Sequence, residues 1–224
     1  MAARILITRE ERPGERELAA SLGLDVVFVP LTRVTFHAGR QTQEVPGAHV
    51  VFTSRNAVEA LRAADLLNPL AGKDIWCVGP ATAAALGGIP HRVPPGTTGE
   101  DLARFMIESG VTGDVLHICG EPHREELRAT LERAGCDVKE WVVYETVPVE
   151  AELPNVKIDA VAFFSPAAVK QFKARGWVES LRCPYVAIGP TTASELDPCS
   201  CTVSRQATFE GVIQASRIML KVEV

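Results

Sequence analysis

The sequence predicts an α/β protein built as two doubly wound, parallel-sheet units. Three observations lead there. Short apolar runs alternate with segments of helical period almost from end to end, as in chains made of strand and helix units. Most of those runs are continuously apolar, as parallel strands covered on both faces should be. A set of motifs also returns at a nearly constant separation, the sign of an internal repeat. Ser54 and Ser165 stand 111 residues apart, Gly79 and Gly189 stand 110 apart, and Thr82 and Thr192 stand 110 apart.

In chain order the expected strands are RILIT (4–8), DVVFV (25–29), HVVFT (49–53), IWCV (75–78), HRV (91–93), DVLHIC (114–119), DVKEWVV (137–143), DAVAFF (159–164), YVAIG (185–189) and CTV (201–203). Amphipathic helices fall between them. Leu127, Leu131 and Ala134 follow the i, i+4, i+7 pattern, closed by Gly135 as a left-handed cap. Leu102, Phe105 and Met106 mark a second stripe, and Val212, Ile213, Met219 and Leu220 the last. VFTSRNAVEAL (51–61) matches FFSPAAVKQF (163–172), and VGPATAAAL (78–86) matches IGPTTASEL (188–196). Ten strands over two repeats give five per unit, the count of a flavodoxin-like doubly wound sheet. A simple duplication would divide the chain near Gly110 to Gly113. The segments 31–37 and 143–149, however, are alternating and β-prone with no helix directly after them. Paired as an antiparallel ladder, they would bridge two lobes each assembled from both repeats. The pattern alone leaves both arrangements open.

Composition narrows the function. Lys and Arg number 23 against 28 Asp and Glu, a net charge of -5, so no basic field is available to attract nucleic acid. No apolar run reaches the roughly 20 residues of a membrane span, and MAARILITREERPGERE turns charged too early for an export signal. A cytoplasmic protein with reduced thiols is expected. The six cysteines, at 77, 119, 136, 183, 199 and 201, show no disulfide or zinc spacing, since Cys199 and Cys201 are separated by one residue rather than two. His117 and His123 flank a glycine turn with no Cys or carboxylate at ligand spacing to complete a site, so no metal is expected.

Four segments share a design of buried strand, small or polar turn and helix start. They are Thr53-Ser54-Arg55-Asn56, Gly79-Pro80-Ala81-Thr82, Ser165-Pro166-Ala167-Ala168 and Gly189-Pro190-Thr191-Thr192. Each reads as an ordinary helix cap. Each also offers unpaired amides and a favourable dipole to an anion, at the strand edge where doubly wound sheets bind ligands. The candidate binding residues are therefore Ser54, Asn56, Gly79, Thr82, Ser165, Gly189 and Thr192. Arg9 joins them, and Arg124 is placed similarly, because a guanidinium fork holds carboxylates in two parallel hydrogen bonds. No Gly-Lys follows the GP turns and no GxGxxG opens a helix, which excludes a P-loop and the dinucleotide fingerprint. Covalent catalysis has no visible agent. Tyr144, beside Glu145 and Thr146, is the candidate catalytic group, because a phenol with a pKa near 10 can donate a proton while neutral at physiological pH.

These residues resemble the uroporphyrinogen-III synthase family. The likeness rests on LITR near the start, VFTSRNAVEAL, VGPATAAAL, the run Gly120 to Leu127, VYET, FFSPAAV and IGPTTASEL, in this order and spacing. The resemblance implies two flavodoxin-like domains joined by a two-stranded β-ladder, an internal duplication with exchanged segments. One domain would hold residues 1–34 and 149–224, the other 35–148, with the bridge near 31–37 and 143–149. It implies a cofactor-free, monomeric enzyme acting on a linear tetrapyrrole, hydroxymethylbilane. Loss of the terminal hydroxyl gives an azafulvene, ring D reacts through its substituted carbon, and a spiro intermediate recloses with ring D inverted. Tyr144 matches the bridge tyrosine that assists departure of the hydroxyl, and Thr82, Ser165 and Thr192 match hydroxyls lining the cleft. The chain departs from the family pattern at Arg55 and Glu10, where proline is usual, and at Cys119, where arginine is frequent. The rival reading is a non-catalytic bilobal sensor closing over an anionic ligand.

Overall fold

The computed structural model describes residues 2–37, 48–96, 98–196 and 201–222. In chain order its elements are β1 (Ala3–Ile7), α1 (Glu15–Ser21), β2 (Leu24–Phe28), β3 (Thr32–Phe36), β4 (His49–Phe52), α2 (Arg55–Ala63), β5 (Asp74–Cys77), α3 (Gly79–Leu86), α4 (Gly99–Glu108) and β6 (Asp114–Glu121). Then come α5 (Glu126–Arg133), β7 (Asp137–Pro148), β8 (Ala160–Phe163), α6 (Pro166–Ala174), α7 (Trp177–Ser180), β9 (Tyr185–Ala187), α8 (Pro190–Ala193), β10 (Cys201–Val203) and α9 (Phe209–Met219). The chain divides into two units, residues 1–33 with 147–224, and residues 34–146.

The sheet of the first unit runs β10-β9-β8-β1-β2, with every pairing parallel. Numbered within the unit this is 5-4-3-1-2, so the order reverses between β1 and β8, the switch point of a doubly wound sheet. The continuous apolar runs are explained by burial of both faces. Along β1, Ile5 and Ile7 join one core with Val26, Ala160, Ala162, Val186 and the α9 residues Val212 and Ile213. Leu6 points the other way, to Val161, Phe163, Tyr185 and the α6 residues Val169 and Phe172. Side chains alternate with period two, yet both sets are apolar because helices cover both sides.

The second unit repeats this logic. Its sheet runs β3-β7-β6-β4-β5, with β7-β6-β4-β5 parallel. Val50 and Phe52 of β4 pack with Ile75, Leu116, Ile118 and the α2 residues Val58 and Leu61. Val51 packs on the opposite face with Trp76, Val115, Leu102 and Met106 of α4, and Leu127 and Leu131 of α5. Gly135 adopts φ 89° beyond the end of α5, the left-handed conformation expected of it.

Two expected strands come out differently. His91-Arg92-Val93 forms no strand, only a single parallel bridge between Arg92 and Trp76. Pro90, Pro94 and Pro95 flank it, and prolines cannot donate to a ladder. The Arg92 guanidinium lies 4.9 Å from the Trp76 ring centroid and holds the segment against β5. The fifth strand of this sheet is instead β3, from the segment 31–37. The runs 137–143 and 143–149 fuse into the one strand β7, which β3 flanks. The His37 amide donates to the Val143 carbonyl at 2.8 Å, and the Val149 amide donates to the Leu31 carbonyl at 3.1 Å. Among the described residues no helix is long and apolar enough to cross a membrane. Cys77, Cys119, Cys136 and Cys183 are free thiols, while Cys199 lies outside the described residues.

Candidate active site

All nine nominated residues follow, or lie in the last part of, a strand, and so line the carboxyl edge of their own sheet. In the 34–146 unit, Ser54 and Asn56 follow β4, Gly79 and Thr82 follow β5, and Tyr144 sits near the end of β7. In the other unit, Arg9 follows β1, Ser165 follows β8, and Gly189 and Thr192 follow β9.

Tyr144 owes its position to a local irregularity. Parallel pairing of β6 with β7 runs in register to Cys119 opposite Val142, then slips so that Gly120 faces Tyr144. The extra residue, Val143, is a bulge, a device that re-aims the side chain after it. The Tyr144 ring then packs across Gly120 so closely that a Cβ there would fall 2.1 Å from its Cζ. Only glycine accommodates the ring. The phenol is hydrogen-bonded to Ser54, and burial raises its pKa above the usual tyrosine value, with the Ser54 hydrogen bond offsetting part of the rise. Tyr144 is 8% exposed and stays protonated at neutral pH. Ser54 has a second task, since its Oγ accepts from the Asn56 amide at 3.2 Å and caps α2.

The remaining turns are not equivalent to one another. Ser165 caps α6 by accepting from the Ala168 amide at 3.2 Å. Gly79 lies in the left-handed region at φ 73°, where other residues are strained, whereas Gly189 is extended at φ -170° and precedes the four-residue α8. Thr82 and Thr192 are buried, 4% and 3% exposed. Arg9 is already engaged. Its two terminal nitrogens meet the Glu15 carboxylate at 2.8 and 2.5 Å, one of them also reaches the Glu10 carbonyl at 2.7 Å, and its guanidinium stacks 4.3 Å from the Phe164 centroid. Arg124 stands 3.9 Å from Glu126 with both side chains more than half exposed.

On the opposite face of β6 from Tyr144 lies a polar group that the sequence did not reveal. His117, only 1% exposed, holds Nε2 3.0 Å from the Thr53 hydroxyl. His123, from the loop after β6, has Nδ1 2.9 Å from the Gly120 carbonyl and Nε2 3.0 Å from Glu140 Oε1. The other oxygen of Glu140 accepts from Arg128 at 3.2 Å. Burial, and the neighbouring His123, outweigh Glu140 and push the His117 pKa down to about 4, so its ring is neutral. Burial raises Glu140, but His123, His117 and Arg128 outweigh it and leave the carboxyl below its usual value. The Cys119 thiol, buried and facing Glu140, Glu121 and Glu125, is pushed up to about 12.

The family model described as Uroporphyrinogen-III synthase HemD matches residues 15–214. The chain belongs to the uroporphyrinogen-III synthase family. Among solved structures, a mutant uroporphyrinogen III synthase of Thermus thermophilus is 19% identical, with a TM-score of 0.73 over 99% of this chain and 100% of that one. The uroporphyrinogen-III synthetase of Helicobacter pylori is 18% identical, with a TM-score of 0.66 over 97% of this chain and 99% of that one. At such identities the likeness establishes the shared fold. Within this synthase family member, Gly120 is the position that sequence reasoning missed: it appeared only as part of a motif, not as the seat of the tyrosine ring. The signal for the polar group was the i, i+2 spacing of His117 and Cys119, which puts both on one face of a strand.

Proposed function

We propose that the chain closes hydroxymethylbilane with loss of water and inversion of ring D, giving uroporphyrinogen III without a cofactor. The observation that carries the reading is the Tyr144 phenol: neutral, fixed by Gly120 and Ser54, and beside the first turn of a helix. In this reading Tyr144 donates its hydrogen bond to the departing terminal hydroxyl and helps it leave as water. The azafulvene that results is attacked by the substituted carbon of ring D, and the spiro intermediate fragments and recloses inverted. The substrate's carboxylates are held by the helix starts at Ser54 and Asn56, Gly79 and Thr82, Ser165, and Gly189 and Thr192. Arg9, held by its fork on Glu15 at the edge of its own sheet, is the guanidinium among these proposed carboxylate-binding residues. Because the substrate cyclises unaided to the uninverted isomer, catalysis consists of orienting the reacting ends and keeping water from the cation.

The reading includes two domains that arose by duplication and exchanged segments, joined by β3 and β7 as a two-stranded ladder, in a cytoplasmic monomer. Support comes from the strand order. The sheet of the first unit reads β10-β9-β8-β1-β2, and in the second the Arg92 bridge followed by β5-β4-β6-β7 reads in the same sense. The test supplies freshly made hydroxymethylbilane and separates the porphyrin isomers after oxidation. Type III in excess is expected, and type I alone refutes the function. Tyr144→Phe should lower kcat by about 100-fold or more while KM stays nearly constant. An unchanged kcat removes Tyr144 from the reaction.

A further inference from the structure

The polar group on the far face of β6 has features that protein-only contacts leave unexplained. His117 Nδ1 is buried with no hydrogen-bond partner. It faces Glu140 Oε1 at 3.6 Å, too long for a hydrogen bond. Both nitrogens of His123 face oxygen acceptors, Gly120 O and Glu140 Oε1. A buried polar atom without a partner costs about 1–3 kcal/mol and calls for an explanation.

We propose that His117, Cys119, His123 and Glu140 form a binding site for one thiophilic divalent cation of the zinc class. Ligand atoms of His117, Cys119 and His123 all lie within 4.8 Å of one another. Glu140 Oε1 sits 3.6 Å from His117 Nδ1 and 3.0 Å from His123 Nε2. Ligands around a tetrahedral zinc with bonds of about 2.0–2.3 Å stand about 3.3–3.8 Å apart, so the cluster closes by roughly 1 Å. His123 supplies that travel and an entry path, because it comes from a loop and its side chain is partly exposed. The outer contacts are those a metal site needs. A ligating histidine gives its second ring N–H to an oxygen, which fixes the tautomer. Here His117 Nε2 meets Thr53 Oγ1, and His123 Nδ1 meets the Gly120 carbonyl. Arg128 holds the outer oxygen of Glu140 and turns Oε1 inward. On binding, Cys119 releases its proton to solvent, and thiolate and carboxylate together neutralise the two positive charges, as a buried site requires. The site tethers the β6 to α5 loop to the sheet, and it stands whether or not the proposed reaction does.

The test titrates the untagged, metal-stripped chain with Co2+, then displaces it with Zn2+. One equivalent should bind with a near-ultraviolet thiolate-to-cobalt band and the visible bands of tetrahedral cobalt. Cys119→Ser should abolish the thiolate band, and His123→Gln should weaken Zn2+ by on the order of 100-fold. Saturable binding without a thiolate band in the wild type overturns the proposal, whatever the variants do. So does a band that survives Cys119→Ser, which would come from another cysteine, and so does the absence of stoichiometric uptake.

Discussion

Replacing Gly120 by alanine puts a methyl group into the space the Tyr144 ring occupies. The new Cβ would stand 2.1, 2.3 and 2.4 Å from the ring atoms Cζ, Cε2 and Cε1, where carbon atoms prefer about 3.5–4.0 Å. The ring must retreat by more than about 1 Å, and it is rigid, so its hydroxyl leaves Ser54 with it. Overpacking of this kind costs about 1–3 kcal/mol, and the lost hydrogen bond about 0.5–1.5 kcal/mol more. Alanine restrains the unfolded chain and returns about 0.4–1 kcal/mol. A net loss of about 0.5–4 kcal/mol, centred on about 2, is expected in urea denaturation. Turnover should fall on the order of 100-fold, the usual result of misplacing a reacting group by about 1 Å. The decisive comparison is a double-mutant cycle with Tyr144→Ala. Removing the ring removes the three nearest atoms the methyl would strike, so Gly120→Ala should cost under about 0.5 kcal/mol in that background. A wild-type-like stability and turnover in Gly120→Ala, or an equal cost with and without the ring, would refute the claim that Gly120 is the seat of Tyr144.

Two further outcomes follow from the same unit. In the metal-stripped chain the folded-state pKa of His117, down to about 4 from an ordinary 6.5, makes stability complete above about pH 6.5 and progressively lost as the pH falls toward 4, because only the unfolded chain takes up that proton. The full loss is about 3 kcal/mol, Glu140 acts in the same direction at still lower pH, and His117→Gln should flatten the dependence of urea stability on pH between about 6.5 and 4. Ser54→Ala and Thr98→Ala each remove a helix cap, on α2 and α4 respectively, and each should cost about 1 kcal/mol. Isomer assays should show lost turnover only for Ser54→Ala, since only Ser54 touches Tyr144. Equal activity in the two variants would reduce Ser54 to a cap.

The strands were legible because burial on both faces writes itself into consecutive residues. Ile5, Leu6 and Ile7 are all apolar although they point into different cores. His91-Arg92-Val93 misled because the single β-branched Val93 was weighed above the three prolines around the segment. The helix starts were legible too, since Ser54 and Ser165 announce caps that the backbone uses. Arg9 was not legible as a paired residue. Glu15 is six positions away, and the ring of Phe164 reaches Arg9 only through the pairing of β1 with β8. Thr82 and Thr192 read as offered hydroxyls, and their burial to 4% and 3% exposure was not legible from the turns that carry them.

What stayed hidden depends on register between strands, which no single segment encodes. His117 and Cys119 acquire Glu140 only because β7 lies beside β6 with His117 opposite Glu140. Tyr144 reaches Gly120 only because the register slips one residue farther on. The same two strands therefore carry two unlike sites on opposite faces, and the period of two keeps them apart. They meet again one element away. Thr53 contacts His117, while the next residue, Ser54, contacts Tyr144. A cation tightening His117 would act on Thr53 as well, and through one peptide bond on the serine that orients the phenol. The Thr53-Ser54 turn is therefore the shortest covalent route between the two faces, one residue meeting His117 and the next meeting Tyr144.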